Sequence, residues 1–101
     1  MVWVSDARLP LYAAQQFHRR GQLKEALLLY NYAYGRDAQN VSTALALAEV
    51  LLLLDDDKEL VNIYLNAAGE LPRSPSQDDR LRWLMIAWGL VTGRSDFFIR
   101  R

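Results

Sequence analysis

The sequence has no cysteine and only one histidine, His18. Without cysteine there can be no disulfide, thiolate metal site or thiol nucleophile, a composition typical of a protein kept in a reducing cytosol. A single histidine gives little support to a zinc site with paired histidines or to a serine nucleophile with a histidine base. The five glycines form no phosphate-binding loop. We therefore expect no enzyme activity, no metal and no cofactor.

The chain also lacks net charge, since 12 basic side chains balance 12 acidic ones over 101 residues. This balance argues against electrostatic binding of nucleic acid or of an anionic membrane. The segment 1–6 lacks the order of basic and apolar residues that marks a signal peptide. Apolar runs such as Val50–Leu54 are far shorter than the ~18 residues of a membrane span. We expect one small cytoplasmic domain, 1–101, with no nucleic-acid partner and no membrane insertion.

A shift of 34 residues brings the chain into register with itself. The motif Tyr-x-x-Ala-x-Gly occurs at residues 30–35 and again at 64–69. Further positions match in chemical class: Leu11 with Leu45, Ala14 with Ala48, Phe17 with Leu51, Leu27 with Val61 and Leu29 with Ile63. A period of this length predicts a repeat architecture.

Apolar residues at helical spacing predict helices at about 7–19, 23–34, 41–54, 58–68 and 80–92. The predicted N-caps are Ser5 or Asp6 for the first helix and Asn40 for the third. Gly35 and Gly69 are predicted to end the second and fourth helices. No segment has the alternation of a strand. The expected fold is all-α, with two helical hairpins, a third first-helix and a short C-terminal stub.

The 34-residue hairpin period resembles the tetratricopeptide repeat (TPR) family, with units at about 7–40, 41–74 and, in part, 80–101. The residues that carry the resemblance are Ala14, Phe17, Gly21, Ala26, Tyr30 and Ala33 in the first unit, Ala48, Leu51, Tyr64, Ala67 and Pro72 in the second, and Trp83, Ile86, Ala87 and Leu90 in the third. Asp55 and Leu60 depart from the turn glycine and the small alanine of the family. The resemblance implies a helical solenoid in which alanines let the helices approach closely.

Three polar or aromatic clusters have a structural interpretation beside a functional one. The acidic turn 55–57 with Glu59 could bind calcium, but it lacks the spacing of an EF-hand loop, and acids at a helix start favour the dipole. His18 with Arg19 and Arg20 places positive charge at a helix end. Of the tyrosines at 30, 32 and 34, we expect Tyr30 to pack in the core, while Tyr32 and Tyr34 could be exposed contacts.

In the TPR family the first helix of each hairpin lines a concave groove, and the resemblance implies a partner-binding groove in this chain. Its residues would be Leu11, Gln15, His18, Arg19, Leu45, Glu49, Leu52, Leu53, Leu84, Trp88 and Val91. Leu11, Gln15, Ala46 and Met85 stand where some family members clamp a carboxylate, so that clamp is not expected. We expect an apolar groove that holds an amphipathic helix or an apolar segment of a protein. Leu52 and Leu53 could instead belong to the core.

These expectations describe a protein-binding module, adaptor or small chaperone. In size and expected groove the chain resembles the small TPR-like chaperones of type III secretion. The alternatives are a structural scaffold or oligomerisation module, and the terminal part of a longer TPR solenoid.

The C-terminal part predicts a second contact surface. The helix at 80–92 is apolar nearly all round, so we expect an association patch of Trp83, Trp88, Phe97 and Phe98 that binds a partner helix or a second copy. The alternative is that the stub, from Phe97 onward, folds back on this helix.

Overall fold

The computed structural model describes residues 8–55 and 57–93. These residues form α1 (Arg8–Arg19), α2 (Leu23–Arg36), α3 (Val41–Leu53), α4 (Lys58–Gly69) and α5 (Pro75–Thr92). No strand occurs within these ranges, which confirms the all-α prediction. The predicted caps Ser5 and Asp6 and the stub with Phe97 and Phe98 lie outside the described residues. Among the five helices, none has the length and apolar character needed to cross a membrane.

Side-chain caps start the third and fourth helices. The Asn40 side chain accepts a hydrogen bond of 3.2 Å from the backbone N–H of Thr43, as predicted. Asp57 accepts bonds of 3.1 Å from the backbone N–H groups of Glu59 and Leu60. Part of the acidic turn therefore serves to start α4.

α5 begins at Pro75, five residues before the predicted start at Arg80. The Ser74 hydroxyl accepts from the backbone N–H of Gln77 at 3.2 Å, and the Gln77 side chain accepts from the backbone N–H of Ser74 at 2.9 Å. This reciprocal capping box, with proline at the first helical position, fixes the start. The predicted helix start at Arg80 was therefore wrong.

The predicted C-cap at Gly35 was also wrong. α2 continues to Arg36, and the N–H of Asp37 bonds to the Ala33 carbonyl at 3.0 Å. Gly35 lies inside the helix, and the Arg36 side chain in the last turn donates to the Tyr32 hydroxyl at 2.9 Å. The left-handed glycines are instead Gly21, at the turn after α1, and Gly93, after α5.

The helices stack as successive hairpins with α3 in the middle. α1 packs on α2 and α3 on α4, while α3 also contacts α2 and α5. One apolar cluster joins α1, α2 and α3 through Ala14, Ala26, Tyr30, Ala46, Leu47 and Val50. A second joins α3, α4 and α5 and includes Leu45, Leu51, Val61, Leu65, Leu84 and Trp88.

The two hairpins are related by different offsets in their first and second helices. Ala14 and Ala48 are both fully buried, which fits the 34-residue shift. In the second helices the buried positions match at a shift of 35: Ala26 with Val61, Tyr30 with Leu65 and Ala33 with Ala68. The turn between helices is longer in the second hairpin, at 54–57 against 20–22. Consequently Tyr64 and Ala67, which the sequence match paired with Tyr30 and Ala33, are only half-buried.

A single guanidinium joins the end of α4 to the start of α5. One nitrogen of Arg73 donates to the carbonyls of Ala68, Gly69 and Leu71 at 3.2, 2.7 and 3.0 Å. Its Nε donates to Asp78 at 2.9 Å, within the first turn of α5. Arg73 therefore satisfies carbonyls at the end of one helix and holds the next helix beside it.

Candidate protein-binding surface

A row of polar side chains connects the helices α1, α3 and α5. His18 of α1 lies 3.5 Å from Glu49 of α3 through Nε2 and Oε2. Glu49 also pairs with Arg80 of α5 through its other oxygen. Glu49 follows His18 by 31 residues, and Arg80 follows Glu49 by the same interval. We call His18, Glu49 and Arg80 the polar ladder.

Tyr30 anchors the ladder to the second helix of the first hairpin. Its hydroxyl lies 3.0 Å from Nδ1 of His18, and the two rings meet edge to face. Burial raises the pKa of Tyr30, while the Arg80 charge lowers it and the Glu49 charge raises it. The phenol is therefore neutral at physiological pH and acts as a hydrogen-bonding group in the core.

The buried polar side chains of the described residues form hydrogen bonds within the protein. No buried side-chain nitrogen or oxygen among them lacks a hydrogen-bond partner. Within residues 8–55 and 57–93 no group of three or more histidines and acids is placed to hold a metal ion. The ladder residues already bond to one another, so they act as structural links with partly exposed edges.

Three of the predicted groove residues lie in the core. Leu45 is 1 % exposed, Leu84 is 9 % exposed and Trp88 is 2 % exposed. α5 packs against both α3 and α4, so these side chains pack in one cluster with each other. The indole N–H of Trp88 donates to the Lys58 carbonyl at 2.6 Å, at the start of α4. The prediction that they line an open groove was therefore wrong.

The other predicted groove residues remain at least partly accessible. Gln15, Arg19 and Val91 are exposed, and Leu11, His18, Glu49 and Leu52 are half-buried. Leu53, which the sequence left open between groove and core, is exposed on α3. His18 and Glu49 are brought together with Arg80, a residue that the sequence analysis did not select.

The accessible apolar surface of α5 lies opposite its buried face. Trp83 is 70 % exposed, Leu90 80 % and Val91 51 %, and Ile86 and Ala87 between them are half-buried. The spacing of three, four and seven residues places these side chains on one side of the helix. We call Trp83, Ile86, Ala87, Leu90 and Val91 the α5 stripe.

The predicted association patch is thus divided. Trp83 belongs to the α5 stripe, Trp88 belongs to the core, and Phe97 and Phe98 lie outside the described residues. The helical spacing of Trp83 and Leu90 is the sequence signal that separates them from Trp88.

The polar ladder lies next to apolar side chains on two helices. On α3, Leu52 and Leu53 lie one helical turn beyond Glu49. On α5, Trp83 lies one turn beyond Arg80, where the α5 stripe begins. This face can bind an apolar surface that carries polar groups along one edge.

Comparison of the chain with protein-family models, with curated proteins and with solved structures finds no match.

Proposed function

We propose that this chain is a TPR-like protein-binding module, a small adaptor or chaperone, that covers an amphipathic helix of a protein partner. The observation that supports this most is the α5 stripe, with Trp83 70 % and Leu90 80 % exposed on one helix face. Contiguous exposed apolar surface of this kind marks association sites. Burial of a helix against it requires no chemistry from the chain.

The polar ladder indicates which kind of side chain the partner helix carries beside its apolar face. Arg80 uses one nitrogen to pair with Glu49, and its side chain remains 42 % exposed. A guanidinium has five N–H donors, so Arg80 can also bond to an acidic side chain of a partner. The partner that fits best is an amphipathic helix with an acidic residue beside its apolar stripe.

A role like that of the small type III secretion chaperones is the narrower form of this proposal, with the chain acting in the cytoplasm on an export subunit. It is supported by size, by the all-α hairpin stack and by an exposed apolar face. The assignment of a secretion-chaperone role in particular rests on analogy of fold.

A structural scaffold, or a part of a longer helical stack, is the second candidate function. The observation that favours it is apolar exposure at the other end of the stack, where Leu9 is 52 % and Tyr12 61 % exposed on α1. Apolar faces at both ends suit head-to-tail stacking, which extends an assembly without closing it.

The binding proposal is tested with a displayed library of amphipathic helices, from which binders of the purified chain are selected and their affinities measured by fluorescence anisotropy. We expect selected helices to carry an apolar stripe with an acidic edge. Trp83→Glu should weaken their binding at least ~100-fold, because a carboxylate is then desolvated in the interface.

The matched control is Ile63→Glu, which places the same charge at an apolar residue of α4 that is 59 % exposed. Binding should survive this change, with the helical circular dichroism unaltered in both variants. Equal affinity of the Trp83 variant, or selection of peptides without amphipathic spacing, would contradict the proposal.

A further inference from the structure

Four residues of the α5 stripe are spaced evenly about the point between residues 86 and 87. Trp83 lies three residues before Ile86, and Leu90 lies three residues after Ala87. These four residues therefore have a large, exposed side chain at each end, Trp83 and Leu90, and a large-small pair, Ile86 and Ala87, in the middle. When two copies of α5 lie antiparallel, Trp83 of one copy can face Leu90 of the other, and Ile86 can face Ala87.

We propose that a second copy of this chain docks on the α5 stripe, with the two α5 helices antiparallel and a two-fold axis between residues 86 and 87. Such a contact is isologous, so each residue pair occurs twice and the assembly closes at two copies. The small Ala87 lets the helix axes approach to about 8 Å. The opposite face of α5, with Leu81, Leu84 and Trp88, is already in the core, so docking leaves the fold unchanged.

The antiparallel orientation keeps the charged side chains at the start of α5 away from their own copies. Arg80 and Arg82 lie in the N-terminal half of α5, where they pair with Glu49 and with Asp78 and Asp79. A parallel pair would set each arginine beside its own copy. In the antiparallel pair the two Arg82 positions are about 13 Å apart along the axis, at 1.5 Å per residue, so their repulsion is weak at physiological salt.

The area of the α5 stripe indicates which size class of protein interface the dimer contact belongs to. Covering the exposed parts of Trp83, Leu90 and Val91 on both copies, with Ile86 and Ala87 between them, buries on the order of 1,000 Å². This lies at the low end of specific interfaces, where association is weak and reversible. Because the same face binds the proposed partner helix, a partner and a second copy exclude each other.

Single introduced cysteines test the orientation, because the chain has none of its own. In the proposed pair the two Ala87 positions lie beside the axis, close enough for the Cα separation of about 4.4–6.8 Å that a disulfide needs. The two Asp79 positions are about 22 Å apart along the axis. Under mild oxidation Ala87→Cys should form a covalent dimer rapidly, and the matched variant Asp79→Cys should not.

Sedimentation equilibrium of the unmodified chain over about 5–500 μM gives an independent measure. We expect a monomer–dimer equilibrium that Trp83→Glu weakens at least ~10-fold and that Ile63→Glu leaves unchanged. A chain that remains monomeric over this range overturns the proposal, as does faster cross-linking of Asp79→Cys than of Ala87→Cys.

These outcomes are separable from those of the partner proposal. A monomer that still binds selected amphipathic helices overturns the dimer and leaves the binding function intact. A dimer with the expected cross-link, for which no helix can be selected, supports the self-contact and overturns the binding function.

Discussion

At the scale of the residue, burial separates positions that look equivalent in the sequence. Ala33 and Ala67 occupy the same place in the repeated motif, yet Ala33 is 1 % exposed and Ala67 is half-buried. The extra turn residue of the second hairpin causes this difference, because it moves Ala68 to the fully buried position.

We therefore expect Ala33→Arg and Ala67→Arg to differ in their effect on stability. Ala33→Arg places a charge in the core and should lower the free energy of unfolding by about 3–5 kcal/mol. Ala67→Arg leaves its charge near solvent and should cost about 1 kcal/mol or less. Urea denaturation measures both. Equal losses would mean that the second helices match at 34 residues after all.

The polar ladder shows what single-residue reasoning could and could not predict. The TPR resemblance placed His18 and Glu49 on one surface, and the structure brings them to 3.5 Å. Arg80 was not predicted to lie on this surface, because it was the first residue of the predicted helix 80–92 and the helical spacing assigned it to no face. A constant interval of 31 residues between groups that can pair was the available signal.

At the scale of the element, the start of α5 is fixed by hydrogen bonds between residues that are close together in the sequence. The order Ser74-Pro75-Ser76-Gln77 is a capping box with proline at the first position, and it was missed because the segment is rich in loop-forming residues. Asp78 in the same turn bonds to Arg73 and to Arg82, each at 2.9 Å.

The hydrogen bond from Arg73, aided by Arg82, lowers the pKa of Asp78 below its ordinary value of 3.8. The folded protein therefore holds the Asp78 proton less tightly than the unfolded chain does. Its contribution to stability is complete above the unfolded value and disappears as the pH falls through the folded one.

We expect the urea midpoint to fall more steeply on acidification below about pH 4 in the unmodified chain than in Asp78→Asn, which has no carboxyl to titrate there. The control is Asp79→Asn, whose exposed side chain lies 3.7 Å from Arg82 and should leave the steep fall in place. An unchanged acid profile in Asp78→Asn would show that the pair adds nothing to stability.

At the scale of the whole molecule, α3 contributes side chains to both apolar clusters. Leu47 and Val50 of α3 belong to the cluster with α1 and α2, and Leu45 and Leu51 belong to the cluster with α4 and α5. Loss of α1 and α2, or of α4 and α5, would therefore expose one face of α3. Neither cluster is complete without α3.

We accordingly expect one unfolding transition. Far-UV circular dichroism, which reports all helices, and tryptophan fluorescence, to which Trp88 in the core contributes, should give coincident urea curves. A fluorescence change at lower urea than the loss of helix would show that α5 detaches before the other helices unfold, which would contradict a single transition.

The sequence predicted the fold class and four helix starts within one residue, because hydrophobic periodicity and caps are local. It did not predict which apolar side chains remain accessible. Leu45 and Trp88 were assigned to an open groove, but α5 crosses both α3 and α4 and buries them. The angle at which one helix crosses another depends on packing between distant residues, which no local pattern contains.

Arg73 also allows local unfolding of the junction between α4 and α5 to be measured by proteolysis. Trypsin cleaves after arginine, but a protease must draw several residues around the bond into an extended form. The Arg73 guanidinium is held by three carbonyls and a carboxylate, and Ser74 is held by the capping box. Cleavage after Arg73 therefore requires local unfolding of this junction. The rate of trypsin cleavage then reports the local unfolding that separates α5, which carries the α5 stripe, from α4.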